Sequence, residues 1–265
     1  MIEREVRVAL ESVPGGRIGL YARSLEGPQA GQEAGFSEDE PLPSASLIKL
    51  LILAELLRRA DAGLSLSTTT EVGESDLVGD SEAVAKLDLP SHPTLRWLAR
   101  AMITTSDNTA ANLLIDLLGF PEINAFARSL RLTNTRLCRY MMDSHARARG
   151  EENLTSARDT ATLLAELYSG DSLSAHSRRF ALDLLLSQRQ PPGLPMNFPD
   201  GSRPAYKPAD LDDARNCAAL ALLPGLTFAL AVLVNGNIAS AQTYVDAATR
   251  QVCKYFYGSR SSGPV

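Results

Sequence analysis

The chain has 265 residues, of which 45% are hydrophobic and 22% are charged, and its net charge at pH 7 is −5. This composition is ordinary for a folded globular protein with one large domain or two small ones, so it excludes a disordered chain, a collagen and a coiled coil. The acidic balance also argues against a nucleic-acid partner, because nucleic-acid-binding proteins usually carry a basic face.

The first sixty residues predict a helix, two strands and a second helix. Apolar residues at helical spacing indicate a helix over residues 1–13, and alternation at 18–22 indicates a strand covered on both faces. The Gly-Pro pair at 27–28 is typical of a hairpin turn, and the acidic, proline-containing stretch 37–43 is typical of a loop. Residues 46–62 are almost continuously apolar, which predicts a helix buried on most sides.

The middle of the chain is predicted to be helical. A polar stretch at about 65–93 comes first, and helical periodicity follows it in five segments. These segments are residues 94–104, 108–118, 121–130, 156–169 and 175–188.

The hydrophobic period changes after a proline-rich connection at 191–199. Residues 203–209, 214–223 and 226–235 predict three strands, and the last is apolar throughout, as an inner strand should be. Residues 238–257 predict a closing helix.

This order of elements predicts an α+β fold. An antiparallel sheet would be built from both chain ends and flanked by helices, with an all-helical lobe inserted between them. We expect one unit in which residues 1–45 and 190–265 form the sheet lobe and residues 46–189 the mainly helical lobe. Clefts between such lobes are common ligand sites.

Metal, disulfide and membrane signals are weak. Cys138, Cys217 and Cys253 show no metal-ligand spacing and are predicted to be small buried hydrophobes, and the three histidines are scattered. We therefore expect no metal and no cofactor. No run of 18 apolar residues predicts a membrane span, and the first residues lack a signal region, so we expect a cytoplasmic protein or an exported one whose leader was removed.

Lysine is scarce: there are four lysines against 22 arginines. A lysine amine can lose its proton, whereas a guanidinium cannot, so each lysine is a candidate for chemistry. Lys49 follows Ser46 by three residues at the start of the buried helix, within an apolar run. Ser46 could attack a carbonyl there and Lys49 could accept its proton. The alternative is an N-cap serine followed by a surface lysine.

Two further polar groups could belong to the same site. Ser106-Asp107-Asn108 precedes a predicted helix, where a serine hydroxyl could relay a proton and an asparagine could bind an amide, or the three could simply cap the helix. Lys207, in a predicted strand near the edge of the sheet, could bind a carboxylate or be an ordinary strand lysine.

Together these residues resemble the serine β-lactamase and penicillin-binding protein superfamily, whose signature is Ser-x-x-Lys, Ser-Asp-Asn and Lys-Thr-Gly. Their order and separation are similar to the class A β-lactamase branch, and the resemblance covers most of residues 17–257. It includes the segments Gly19–Leu25, Pro43–Lys49, Thr94–Leu114 and Asn153–Asp159.

The resemblance implies roles for the matching residues. Ser46 would be the acylated nucleophile, Lys49 a general base, Ser106 a proton relay, Asn108 a ligand of the substrate amide and Lys207 a ligand of the substrate carboxylate and part of the relay. It also implies a small-molecule β-lactam, peptide or ester substrate, with no cofactor and no nucleic acid, and we expect a monomer.

The resemblance also implies an oxyanion hole and a second ligand of the substrate carboxylate. The backbone N–H groups of Ser46 and Asp210 would form the oxyanion hole, and Arg215 would help to bind the carboxylate or be a solvated strand arginine.

Two motifs depart from the family pattern. Lys207-Pro208-Ala209 replaces Lys-Thr-Gly, so the threonine hydroxyl is missing and proline removes a backbone N–H, which an edge strand tolerates. Glu-x-x-Leu-Asn, which serves deacylation, has no counterpart at the required spacing. Asp143 is the preferred substitute for activating water, with His145, Glu151 and Glu152 as alternatives.

Three hypotheses follow. The chain could open β-lactams through an acyl-enzyme, with slow deacylation; it could be an esterase or D-alanyl peptidase; or it could be a non-catalytic binding module that kept the cleft.

Overall fold

A five-stranded antiparallel sheet is the centre of the computed structural model, which describes residues 16–190, 198, 203–236 and 249–256. Its strands are β1 Arg17–Glu26, β2 Glu33–Phe36, β5 Arg203–Leu211, β6 Ala214–Leu223 and β7 Leu226–Asn235. The spatial order is β2-β1-β7-β6-β5, with β5 at an edge. Two short strands, β3 Leu42–Pro43 and β4 Leu154–Thr155, pair separately.

The sheet separates two apolar layers. Along β7, Ala229, Ala231 and Leu233 face the larger cluster, which is shared with the helices of the middle of the chain. The alternate residues Phe228 and Val232 face a smaller cluster that includes the helical residues 249–256. Because both faces are covered, β7 is apolar almost throughout rather than alternating.

Seven α-helices lie within residues 16–190: α1 Ile48–Asp61, α2 Leu95–Thr104, α3 Asn108–Leu118, α4 Phe120–Ser129, α5 Ser144–Ala148, α6 Ala157–Ser169 and α7 Ala175–Leu186. Residues 48–57 of α1 are all buried. This explains its continuous apolar sequence, because the helix contacts α3, α4 and α7 on different sides. None of the helices in the described part of the chain is long and apolar enough to cross a membrane.

Most predicted elements are confirmed within one to three residues. The helix predicted at 46–62 begins at Ile48, because a 3₁₀ turn occupies Ala45–Leu47. The predicted loop 37–43 ends in the two-residue strand β3. Helix α5 was not predicted, since five residues are too short to show a period. The predictions for residues 1–13, most of 191–199 and 237–248 lie outside the described residues.

Candidate active site

Ser46 lies in the 3₁₀ turn Ala45–Leu47, where the chain passes from β3 to α1. It is partly exposed, whereas its neighbours on both sides are buried. The N–H of Ser44 donates to the carbonyl of Asn153 at 2.8 Å, which ties this turn to the end of the loop before β4.

Asn216 holds the same turn from the sheet. It is fully buried on β6, and its Nδ2 donates to the carbonyl of Pro43 at 2.9 Å. Its Oδ1 accepts from the N–H of Val234 at 3.1 Å. The position of Ser46 is therefore fixed by a contact with a strand 170 residues further along the chain, which sequence spacing did not reveal.

Lys49 is fully buried one helical turn beyond Ser46. Its Nζ lies 3.2 Å from Ser46 Oγ, 2.5 Å from the Ser106 carbonyl, 3.1 Å from Ser106 Oγ and 2.7 Å from Asn108 Oδ1. Either form of the amine can engage three of these oxygens at once, an ammonium through three donors and a neutral amine through two donors and its lone pair. A neutral amine can donate to the carbonyl and amide oxygens and accept the proton of a serine hydroxyl. The contacts are compatible with Lys49 acting as a base toward Ser46.

Lys207, on β5, also contacts Ser106. It is fully buried, and its Nζ donates to Ser106 Oγ at 2.8 Å and to the Pro208 carbonyl at 2.9 Å. A continuous chain of short contacts thus joins Lys207, Ser106, Lys49 and Ser46. The structure brings together the hydroxyl groups and amines that three separate parts of the sequence supplied.

Burial changes the protonation of both amines. It lowers the pKa of Lys49 well below its usual value, and the nearby charge of Lys207 lowers it further. Burial also lowers the pKa of Lys207, to about 7. Two ammonium groups against one hydroxyl in an apolar pocket repel each other, so the pair favours one neutral amine near neutral pH.

Backbone strain is concentrated at this cleft. Within the described residues, six non-glycine residues have positive φ, and four of them line the cleft. These are Ala45 at 47°, Asp80 at 54°, Ser106 at 60° and Met142 at 64°. Such conformations cost on the order of 1 kcal/mol each and persist only where the surroundings impose them. One of these four residues is Ser106 itself, which contacts both lysines, and another is Ala45, which directly precedes Ser46.

The side chains of Asp107 and Asn108 form hydrogen bonds within the protein. The buried carboxylate of Asp107 accepts from the N–H groups of Ala83, Val84 and Ala110, so it caps α3 as the structural alternative predicted. Asn108 Nδ2 donates to the Gly79 carbonyl at 2.9 Å. Its second amide proton and its position on the cleft remain compatible with a substrate contact.

Replacing Asp107 with alanine is expected to lower the free energy of unfolding by about 3 kcal/mol, because three backbone donors lose a charged acceptor and α3 loses its cap. Urea unfolding measures the change. Asp107→Asn keeps one acceptor oxygen and should retain part of the stability. A loss below about 1 kcal/mol in the alanine variant would contradict this assignment.

The buried amine of Lys207 predicts a pH-dependent stability. Its pKa is about 7 in the folded chain against 10.5 as the ordinary value, so the unfolded chain binds more protons between these limits. The free energy of unfolding therefore rises with pH through this window, by about 2 kcal/mol between pH 7 and pH 9. Lys207→Met should show a rise that is smaller by this amount, since the buried amine of Lys49 still contributes a rise of its own. Parallel urea titrations of both proteins test this, and an equal rise in the two would contradict it.

Asp210 and Arg215 face each other across β5 and β6, and Arg215 Nε donates to Asp210 Oδ1 at 3.2 Å. Asp210 lines the cleft with Ser46, whereas Arg215 is not among the residues lining it. Arg215, the predicted ligand of a substrate carboxylate, is therefore already paired with the carboxylate of Asp210.

The predicted water-activating groups are spread over the loop before β4. Asp143 lines the cleft and caps α5, its Oδ1 accepting from the N–H of Ala146 at 2.9 Å. Glu152 also lines it, but is held by Arg139 and Arg147. Glu151 pairs with an exposed arginine and, like His145, does not line the cleft. Within the described residues, no carboxylate accepts a hydrogen bond from Ser46 or Lys49.

The cleft has a volume of about 950 Å³, enough for a drug-sized molecule. Another cavity of about 1130 Å³, lined by residues such as Phe120, Leu132 and Arg136, contains neither the serines nor the lysines of this site. In the part of the chain that the structure describes, no group of three His, Cys, Asp or Glu side chains could hold a metal ion.

The chain is similar to known proteins in both sequence and structure. The model of a family described as "Beta-lactamase enzyme family" matches residues 1–256. Beta-lactamase L2 of Stenotrophomonas maltophilia is 32% identical over 181 residues, which are 67% of this chain and 58% of that protein. The match thus spans less than two thirds of the length of this relative.

Solved structures give longer matches. A class A beta-lactamase from Mycobacterium abscessus is 26% identical and has a TM-score of 0.86, with 97% of this chain and 99% of that chain covered. A variant of PBP-A, solved as an acyl-enzyme complex with penicillin G, is 26% identical with a TM-score of 0.86 and 96% of both chains covered. The expected α+β fold is confirmed by these similarities.

Proposed function

Since this chain belongs to the beta-lactamase enzyme family, we propose that it is a serine hydrolase that opens β-lactams through an acyl-enzyme on Ser46. The observation that carries this proposal is the 3.2 Å contact between Lys49 Nζ and Ser46 Oγ, within a pocket that disfavours the charged form of the amine. A PBP-A variant of the same fold has been solved as an acyl-enzyme with penicillin G, which supports the proposal.

The acylation step follows from these contacts. Ser46 Oγ attacks the lactam carbonyl carbon while its proton passes to the neutral amine of Lys49. The negative charge that develops on the carbonyl oxygen would be stabilised by the backbone N–H groups of Ser46 and Asp210. The C–N bond then breaks, and the proton reaches the leaving nitrogen through Ser106. Lys207 holds the relay hydroxyl in place.

Substrate contacts are proposed for two side chains. Asn108 would bind the amide of the substrate through its free amide proton, and Lys207 would provide the positive charge for a substrate carboxylate. All the side chains of this constellation come from one copy of the chain, so the proposed chemistry needs no residue from a second copy.

We propose that deacylation is slow. Its general base would be Asp143, the predicted substitute that lines the cleft. Its Oδ1 already accepts a backbone N–H, and Glu152 is bound to two arginines. Both carboxylates are therefore already engaged by protein donors, which leaves fewer of their lone pairs free to accept a proton from water.

A second candidate function keeps the serine chemistry and changes the substrate. Pro208 and Ala209 provide no side-chain hydroxyl beside Lys207, and a lost hydrogen bond to a charged group costs about 1.5–3 kcal/mol. This favours an esterase over an efficient β-lactamase. A D-alanyl peptidase remains the other candidate with this serine chemistry, although its substrate carboxylate would lose the same hydrogen bond.

The test follows penicillin hydrolysis and the intact protein mass in the same sample over hours. A transient adduct with accumulating product supports a hydrolase with slow turnover. A lasting adduct without product would support the proposed acylation and contradict the proposed turnover. Turnover of esters or D-Ala-D-Ala peptides without any adduct supports the second candidate. Neither adduct nor turnover of any of these compounds would leave a non-catalytic binding module and overturn the proposal.

A further inference from the structure

Asp210 places a negative charge at the point where an anionic substrate group would be expected to bind. It lies three residues after Lys207 on β5, lines the cleft, and has a side chain that is 51% exposed. Its register partner Arg215 donates to it at 3.2 Å. A substrate carboxylate would have to displace Asp210 from Arg215, or lie beside a like charge that remains in place.

The neighbouring residues do not compensate for this charge. Pro208 has no N–H and Ala209 has no side-chain donor. Two protons of the Lys207 amine are directed at Ser106 Oγ and at the Pro208 carbonyl. A bound anion would therefore meet one repelling carboxylate and few hydrogen-bond donors along residues 207–210.

The rest of the cleft has the same bias. Its lining includes six carboxylates and four cationic side chains, apart from the fully buried amines of Lys49 and Lys207 behind Ser106. The carboxylates are Asp80, Glu82, Asp143, Glu152, Asp210 and Asp212. Among the cations, Arg139 and Arg147 are both bound to Glu152, and Lys86 lies 3.8 Å from Glu82. Arg189 has no ion-pair partner within the described residues, so the cleft disfavours anions without excluding them.

We propose that Asp210 is a specificity-determining residue that makes this site prefer neutral or cationic acyl donors over those with a carboxylate next to the reacting group. This inference rests on the proposed serine chemistry at Ser46. It names the substrate class: esters and amides whose leaving portion is uncharged or positive. It also predicts that β-lactams, which usually carry that carboxylate, acylate Ser46 more slowly than neutral acyl donors do.

The test compares two depsipeptides that differ only at the terminus of the leaving portion, which is a free carboxylate in one and a primary amide in the other. In the unsubstituted protein, kcat/KM should be higher for the amide. Asp210→Asn should raise the carboxylate-to-amide ratio of kcat/KM by about five- to tenfold, because Arg215 becomes free and a like charge is removed. Asp171→Asn, which removes the same charge outside the cleft, is the matched control.

Two further measurements separate this role from a structural one. Asp210→Asn/Arg215→Gln should keep the part of the gain that comes from removing the like charge and lose the part that the freed guanidinium adds. Added salt should raise the ratio in the unsubstituted protein more than in Asp210→Asn, because it screens the repulsion. Asp210→Ser serves if Asp210→Asn does not fold.

The outcomes distinguish this inference from the function on which it rests. Turnover that Ser46→Ala abolishes, with a ratio that Asp210→Asn and Asp210→Ser leave unchanged, overturns the inference and leaves the proposed function intact. The same rise in Asp171→Asn also overturns it, because net charge would then be the cause. Absence of turnover of both depsipeptides and of labelling by penicillin overturns both.

Discussion

Replacing Ser46 with alanine is expected to lower the rate of β-lactam and ester turnover by at least about 10⁴-fold and to abolish the covalent adduct with penicillin. The reason is chemical: the variant retains the cleft and both amines but has no oxygen that can form the acyl bond. Steady-state hydrolysis and intact-mass measurements on the same preparation provide the two readouts.

Ser144→Ala is the matched control, because Ser144 also lines the cleft and is more exposed than Ser46. Its kinetics should stay close to those of the unsubstituted protein. If Ser46→Ala still forms the adduct, or if Ser144→Ala loses it, the nucleophile has been assigned to the wrong residue.

Replacing Lys49 with methionine is expected to slow acylation by about 10³-fold, which is in the range of a general base. Methionine approximates the length of the lysine and suits the surrounding leucine-rich core, so the fold should be retained; removing a buried amine should even stabilise it. Rapid measurement of adduct formation against pH is the informative experiment.

The pH profile separates a base from a packing residue. In the unsubstituted protein, acylation should rise with pH as the Lys49 amine loses its proton, and this rise should be missing in Lys49→Met. Lys49→Arg should be as slow, since a guanidinium stays charged and cannot accept the Ser46 proton. A fast arginine variant would contradict the assignment.

Lysine scarcity singled out Lys49 and Lys207 in the sequence, and the structure brings both amines to the hydroxyl of Ser106. Lys49 stands within a run of leucine and isoleucine, and a lysine there needs a partner or an altered charge. The structure provides both, through Ser46, Ser106 and Asn108. The strands and long helices were predictable for the same reason, since each buries a regular pattern of apolar residues.

The supporting contacts were not predictable, because they join distant segments by single hydrogen bonds. Asn216 is one polar residue in an apolar strand, and nothing in its neighbourhood indicates that it holds the turn before Ser46. Asn153 lies in a segment that resembles the family. However, its Oδ1 accepts from the N–H groups of Cys138 and Arg139, and these bonds depend on the folded path of the loop between them. The positive φ of Ala45 has no sequence signal either, since alanine does not favour it.

The pairing of Asp210 with Arg215 shows the limit of transferring roles by resemblance. Arg215 matched the arginine expected to bind a carboxylate, but an antiparallel register places Asp210 directly opposite it. Sequence spacing alone gives no register between β5 and β6. The same residue type at the matching position therefore has a different electrostatic partner here.

The central claim is that Ser46, beside a neutralised Lys49, is the residue that becomes acylated. The most direct measurement is peptide mapping by mass spectrometry after exposure to penicillin and rapid denaturation. We predict one acylated peptide, with the added group on Ser46 and its loss in Ser46→Ala. An adduct on another side chain, or on several at similar levels, would contradict the account.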